Sequence, residues 1–543
     1  MLGPLVVVIG GGASGIAMAH SLKHRIGHHD FVVIEKTGHI GGTWSKELNN
    51  YPGCGVDIPS HFYSFSFNPN PDWSHIFCRH DELVGYMNDT VDKFGLRDHF
   101  VLRTTVDRIE WDEASQEWEV HTSQQKPAAT EILRASIVIS AVGSLSVPND
   151  MVLDGLDQFK GRYWHSARWD HSYDWRGKDI AIIGNGCSAA QMVPDMLHDG
   201  VGSIVQFGQS AHWYMPRNDP EITPSRRFLF RNVPLALKLY RFWLFYRVDA
   251  ESITLEMTPR GRRIASKVEK VGINHIQSTA PSELHDALIP KDTLGCKRRV
   301  NDGTNKGSYL ASLNNPKMTL IPRRAVRLEG DSIVAQDGRS FHVDAVCFAT
   351  GYNVTQHLVP MVVRGKGGKT LKDVWSADEG SHAFNTISVS GFPNFGLMFG
   401  PNGFPSNNSC IFQSETQIEY IERLLLRPLL VEKSCSSIDV KRDVEVAWFT
   451  ALRERLTTMV WSTGCTNCQR NEWGHNTSNY PYSGATYRRH LVSTSFDSYD
   501  VEGRNTRWGL YRLLDWVRYW PWALWMATIC FVCDKVERAF PLI

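Results

Sequence analysis

The chain has no apolar run long enough to cross a bilayer. Its longest uncharged apolar stretch, "YWPWALWMATICFVC" at residues 519–533, is 15 residues long, against the roughly 20 that a spanning helix needs. It also has no surplus of one charge, with 58 basic against 57 acidic residues, and no long basic block. Binding to nucleic acid by phosphate neutralisation is therefore not expected. The first apolar run, "LVVVIGGG" from Leu5, passes straight into a glycine loop. That leaves no room for the charged segment and cleavage site of a secretory leader, so secretion is not expected. Cysteine is present but unsystematic: 11 residues, an odd number, scattered over 543. That usage suits a reducing compartment better than a disulfide scaffold, and the expected location is the cytoplasm. Two uses are open to the Trp-rich stretch 519–533: a terminal helix packed on the body, or interfacial association with a membrane.

What the chain does have is length for two or three domains and one pattern that occurs twice. A strand, a glycine loop and a helix recur at residues 5–35 and 179–207, and "SIVISAVG" (136–143) and "DAVCFATG" (344–351) read as further buried strands. The expected fold class is α/β, with two doubly wound Rossmann-like dinucleotide-binding domains and a mainly helical insertion. Residues 1–150 and 384–490 are expected to form the first domain, and 151–218 with 319–383 the second. Residues 219–318 form the insertion and 491–543 a C-terminal extension. The apolar and basic "VPLALKLYRFWLFYR" (233–247) reads as the core face of the insertion, although a basic amphipathic helix can also lie on a membrane.

In "VVVIGGGASG", Gly10, Gly12 and Gly15 stand at the G-x-G-x-x-G spacing directly after a strand. The first permits a tight turn, the second lets a pyrophosphate approach the backbone, and the third lets helix pack on strand. Glu35, at the end of "FVVIE", is placed to accept hydrogen bonds from ribose hydroxyls. "IAIIGNGCSAAQ" repeats the geometry with Gly184, Gly186 and Ala189, and Asn185 and Ser188 complete its expected contacts. The strand after it, "SIVQF", ends without an acid. A carboxylate there would repel a 2′-phosphate, so its absence favours NADPH over NADH. Two dinucleotide sites in one chain point to a flavin reduced by a nicotinamide, hence FAD and NADPH.

"FKGRYWHSARWD" (159–170) resembles F-x-G-x-x-x-H-x-x-x-W-[P/D], the fingerprint of type I Baeyer-Villiger monooxygenases. The related N- and S-oxygenating flavin monooxygenases usually place Tyr or Phe where this chain has Trp169. "IGGTW" (40–44) and "YPGCGVD" (51–57) resemble the family's flavin-contacting segment, with Thr43, Trp44, Asp57 and the following Tyr63 on matching positions. Six residues, Ser45 to Asn50, separate the two where four are usual. The resemblance also implies Val106 as a cofactor contact.

"GCKRR" (295–299) resembles the segment that bears the active-site arginine, which falls on Arg298. Its implied role is to stabilise a C4a-peroxyflavin and the oxyanion formed when that species attacks a ketone, which requires a permanent cation. Asp57 is implied as the partner that orients it. By this resemblance the substrates are O2 and a small-molecule ketone, and the product is an ester or lactone.

Departures from the family pattern fall on the nicotinamide side. Gln209 stands where the family has an arginine for the 2′-phosphate, Lys297 on the second cation, and Asn467 and Cys468 where a Ser-Trp pair is usual. Cys465/Cys468 and Cys530/Cys533 form C-x-x-C pairs, read as buried free thiols, and no metal is expected. Three other readings stay open: N- or S-oxygenation, a dithiol-linked flavoprotein, and a non-catalytic flavin- or NADPH-binding scaffold. His165 reads as a group that couples the two nucleotide domains.

Overall fold

The computed structural model describes residues 5–125, 128–464, 468–515 and 517. The stretch 519–533, Asn467, Cys465, Cys530 and Cys533 lie outside the described residues.

Each glycine-loop strand sits at the centre of its own five-stranded parallel sheet. In the first, Val6–Ile9 lies between Ile137–Ser140 and Phe31–Ile34, with Phe395–Leu397 and Phe100–Val101 at the edges. In the second, Asp179–Ile183 lies between Ser203–Phe207 and Ala345–Phe348, with Met318–Ile321 and Arg162–His165 outermost. The four residues of Val6–Ile9 are all buried. Such unbroken apolar strands belong in a sheet covered on both faces. Alternate side chains then serve different cores. Val6 and Val8 pack with the helical side, and Val7 and Ile9 with the opposite face.

That opposite face is covered by an antiparallel sheet of Thr104–Asp112, Glu117–Gln125 and Ala128–Ala135. Its fourth strand, Val362–Arg364, pairs with Thr104–Asp112, and Val363, Leu371 and Trp375 join the core of the first sheet. This corrects the boundary expected at residue 383. The second sheet takes its last strand at Ala345–Phe348, and the chain then returns to the first unit because its apolar side chains are buried there.

The insertion is helical, with Pro224–Asn232, Ala236–Ala250 and Pro259–Thr279 as its main elements. Two of the three begin with Thr-Pro. Thr223 and Thr258 accept from the amides of Arg226 and Gly261, and proline fills the first helical position, where no amide is required.

Arg162–His165 is an edge strand of the second sheet, in register with Ala345–Phe348. Phe159 is buried in that unit's core, and a Cβ on Gly161 would strike the Asp344 carbonyl. Cys468 is a free thiol but an exposed one, which corrects its expected burial.

Candidate active site

The two glycine loops are built alike. Gly10 and Gly184 have φ of 112° and 118°, a region that disfavours side chains, and a Cβ on Gly10 would come within 2.6 Å of the Ala141 carbonyl oxygen. A Cβ on Gly15 would strike the Gly10 carbonyl, so strand and helix can be this close only with glycine there. Ala189, wholly buried, packs in the core of the second unit.

Gly12 and Gly186 cap the helices Ala13–His20 and Cys187–His198 in extended conformation, with no side-chain cap and no acid in either first turn. A Cβ on Gly186 would meet nothing within 4 Å. Helix N-termini that present amides without a protein acceptor suit a pyrophosphate, so the loops fit the dinucleotides expected of them.

Glu35 is buried and braces the first loop. Its carboxylate accepts from the amide of Gly11 at 2.7 Å and of Thr37 at 2.8 Å, and each oxygen retains a lone pair for a hydroxyl donor. Asn185 is tied down, its side chain donating to the Ser210 carbonyl at 2.8 Å while its own carbonyl accepts from Tyr214. Val106 is a core residue of the first unit, in the strand that bulges beside it.

Asp57 and Arg298 meet although 241 residues separate them: Nη2 of Arg298 lies 3.0 Å from Asp57 Oδ2. Asp57 follows a turn held where Val56 donates to the Cys78 carbonyl and Gly55 bridges Arg79. Arg298 lies just ahead of Val300–Asn301, a short strand paired with Tyr214–Met215. Next to it, Arg299 is held by Glu251 and by Asn407, which fixes the course of the backbone.

The Arg298 side chain is 55% accessible, and its partner Asp57 20%, as expected of a cation bordering a cleft. Burial opposes its charge. The Asp57 carboxylate outweighs that and raises its pKa above the ordinary arginine value. Burial pushes the Cys187 and Cys410 thiols up to about 11 and raises the Tyr63 phenol as well. These three neighbours are therefore neutral at pH 7, and Asp57 supplies the countercharge.

Trp44 donates to the Tyr63 hydroxyl at 3.2 Å, which brings these two aromatics together near Arg298. Thr43 accepts from Asn49, through its hydroxyl at 2.6 Å and its carbonyl at 3.1 Å. Lys297 turns away to Asp292 at 3.5 Å, and Gln209 is exposed. Ser188 lies beside the Tyr51 phenol.

Two further residues matter that the motifs did not single out. Gln191 donates to the Gly55 carbonyl at 3.1 Å and towards Asp57 Oδ1 at 3.4 Å, and accepts from Tyr51 at 2.9 Å. It closes the second glycine-loop stretch, and its position four residues after Cys187 on one helix was the available signal. Asn49 lies in the lengthened loop 45–50. Its amide donates to the Ala167 carbonyl at 3.0 Å, and its side-chain oxygen accepts from Tyr352 at 2.5 Å. The six-residue loop thus closes onto the turn that follows His165. His165 itself is buried, accepts from the Ala167 amide at 3.0 Å, and is held neutral by burial. Trp169 packs edge-on against Trp164 at 5.3 Å.

Two dinucleotide-type units flanking one arginine–aspartate pair define a flavin-binding monooxygenase, and a family model described as flavin-binding monooxygenase-like matches residues 4–233. A Baeyer-Villiger monooxygenase of Streptomyces coelicolor is 35% identical over 91% of this chain and 92% of its own length. One of Pseudomonas aeruginosa is 33% identical over 91% and 90%, and an FAD-binding monooxygenase of Aspergillus niger 32% over 92% and 82%. The chain belongs to the Baeyer-Villiger monooxygenase family and is a flavin-dependent enzyme. Its fold matches a steroid monooxygenase bound to NADP (TM-score 0.77) and a closed cyclohexanone monooxygenase (TM-score 0.78). Each is 23% identical and matches over 92% of this chain and 100% of its own.

Proposed function

We propose that the enzyme uses FAD and NADPH to insert one oxygen atom of O2 beside a ketone carbonyl, releasing an ester or lactone. The observation that carries this reading is the Arg298–Asp57 pair, 3.0 Å apart, set among neutral neighbours. When bound, NADPH supplies a hydride to FAD, and reduced FAD supplies the electrons that activate O2.

Arg298 provides a charge that no accessible pH removes, placed to stabilise negative charge developing on oxygen. Asp57 fixes the direction of the guanidinium, and Gln191 fixes Asp57. The glycine loops at Gly10–Gly15 and Gly184–Ala189 hold the two pyrophosphates, and Glu35 takes the flavin-side ribose. Lys297 serves the 2′-phosphate by leaving Asp292, while Gln209 adds no charge, so NADPH is preferred over NADH by a modest margin.

A bulky apolar ketone suits the surroundings. Phe62, Phe245 and Phe412 pack together within 4.9–6.1 Å, ring centre to ring centre, beside Cys410, which faces Arg298.

The test is a panel of ketones given to the purified yellow enzyme, scored for NADPH consumption and for product mass. The reading stands if ketones stimulate NADPH use and yield a product heavier by one oxygen as ester or lactone. It falls if oxygen appears only on nitrogen or sulfur, or if no ketone stimulates turnover.

A further inference from the structure

From Ile222 to Val248 the chain carries five arginines, one lysine and no acidic residue. This segment forms a helical hairpin, Pro224–Asn232 and Ala236–Ala250, turned at Val233–Leu235. Its outer surface is apolar: Phe228, Val233, Leu235, Leu239, Phe242 and Trp243 are each 44–67% exposed. On the second helix the exposed residues 235, 239, 242 and 243 follow the i, i+4, i+7, i+8 spacing of a single stripe. The inward stripe is occupied separately. Leu237 and Leu244 are buried, and Arg241 turns in to the carbonyl of Ser64 at 3.0 Å.

The stripe 235–243 is therefore a second apolar face and not the core face expected for residues 233–247. Exposed cations border it, namely Arg226, Lys238 and Arg247, while Arg231 is paired with Asp72. Arg247 lies over the Trp243 ring at 5.0 Å and Arg226 over Tyr240 at 5.7 Å. Leu235 sits at the turn with φ of 65°, an unfavourable conformation for a branched side chain, and is 62% exposed.

We propose that this hairpin is a docking surface for an anionic lipid bilayer. Apolar and aromatic side chains ringed by cations are the composition of an interfacial helix, which sinks its apolar face to the depth of the headgroups. The charge pattern decides the occupant. A second copy of the chain, docked about a twofold axis, would bring the same cations face to face. Residues 518–543 also carry net positive charge, with three basic and two acidic residues, and offer no complement.

The inner side of the hairpin leads towards the active site. Phe245 packs on Phe412 at 4.9 Å, and buried Asp249 accepts from Asn408 at 2.8 Å and from the Gly484 amide at 2.5 Å. A docked bilayer would thus lie about one helix diameter, roughly 10 Å, from the groups beside Arg298. Exposure and charge carry the docking proposal, which does not depend on the ketone reading.

The experiment is vesicle flotation of the full-length, FAD-loaded enzyme with phosphatidylcholine vesicles, with and without phosphatidylglycerol, at low and high salt. Recovery with the anionic vesicles that falls at high salt is expected. F242S/W243S and, separately, K238E/R247E should each lower it about tenfold or more while retaining wild-type flavin content and turnover of a water-soluble ketone. Equal flotation of wild type and both variants would place the lipid contact elsewhere in the chain and overturn the proposal. So would indifference to phosphatidylglycerol, absence of flotation, or a wild-type dimer that F242S/W243S converts to monomer.

Discussion

Gln191, on the helix that opens at the second glycine loop, hydrogen-bonds the Gly55 carbonyl and reaches Asp57, the partner of Arg298. The second glycine-loop unit thereby touches the carboxylate paired with Arg298. Tyr51, buried and with its pKa raised by burial, completes the arrangement by donating to Gln191.

Replacing Gln191 by Leu removes the acceptor of the Tyr51 hydroxyl and the side-chain donor to the Gly55 carbonyl, at a cost of about 1–3 kcal/mol in stability. Product formed per NADPH consumed is expected to fall about tenfold through loss of orientation, with flavin reduction less affected. Thermal unfolding and a coupling ratio measured on the same preparation check both effects.

Arg298→Ala is expected to lower ester formation by roughly 100-fold or more while NADPH still reduces the flavin. Arg298→Lys should recover only part of the loss, since one ammonium cannot reproduce the guanidinium fork. Asp57→Ala should act in the same direction, because the cation then loses its orientation. Stopped-flow flavin reduction beside product analysis distinguishes these results from general inactivation.

The glycines of the second loop are expected to separate folding from binding. Gly184→Ala places a side chain at φ 118° and against the Ala349 carbonyl, a strain of about 1–3 kcal/mol or more, and should lower the melting temperature. Gly186→Ala meets nothing within 4 Å and should leave stability unchanged. It should still raise KM for NADPH about tenfold, by crowding the pyrophosphate. Equal effects of the two substitutions would contradict this assignment.

Acid should destabilise the fold through buried imidazoles. Burial lowers His20, His61, His212 and His357 from 6.5 to about 4. Between those values the unfolded chain binds more protons than the folded one. Their contribution to stability is therefore complete above pH 6.5 and is lost as pH falls towards 4, by up to about 1.4 kcal/mol per pH unit for each imidazole. His357, which contacts the Thr477 carbonyl at 3.2 Å, is the cleanest test. His357→Gln should reduce the acid-induced drop in melting temperature by one imidazole's share.

Much of this protein follows from local chemistry and is legible in the order of its residues. The strand, glycine loop and helix units need particular residues at fixed short spacings, because backbone must approach backbone there, and the Thr-Pro helix starts are equally local. Arg298, Asp57 and their pairing are legible by resemblance, but the hold of Gln191 on Asp57 and Gly55 is not, because it depends on how the second unit packs against the first. The same limit applies to Val362–Arg364, whose partner lies about 250 residues upstream in Thr104–Asp112, and to Arg162–His165, an edge strand whose partner Ala345–Phe348 lies about 180 residues downstream.

The sequence by itself determined the two nucleotide units, the charge of the insertion and the residues able to carry the chemistry. Only the tertiary structure decided that Gln191 and Asn49 bridge the units, and that the apolar stripe at 235–243 faces outward. Spacing can define two faces of a helix, but which face is buried is settled by the surfaces the rest of the chain brings against it.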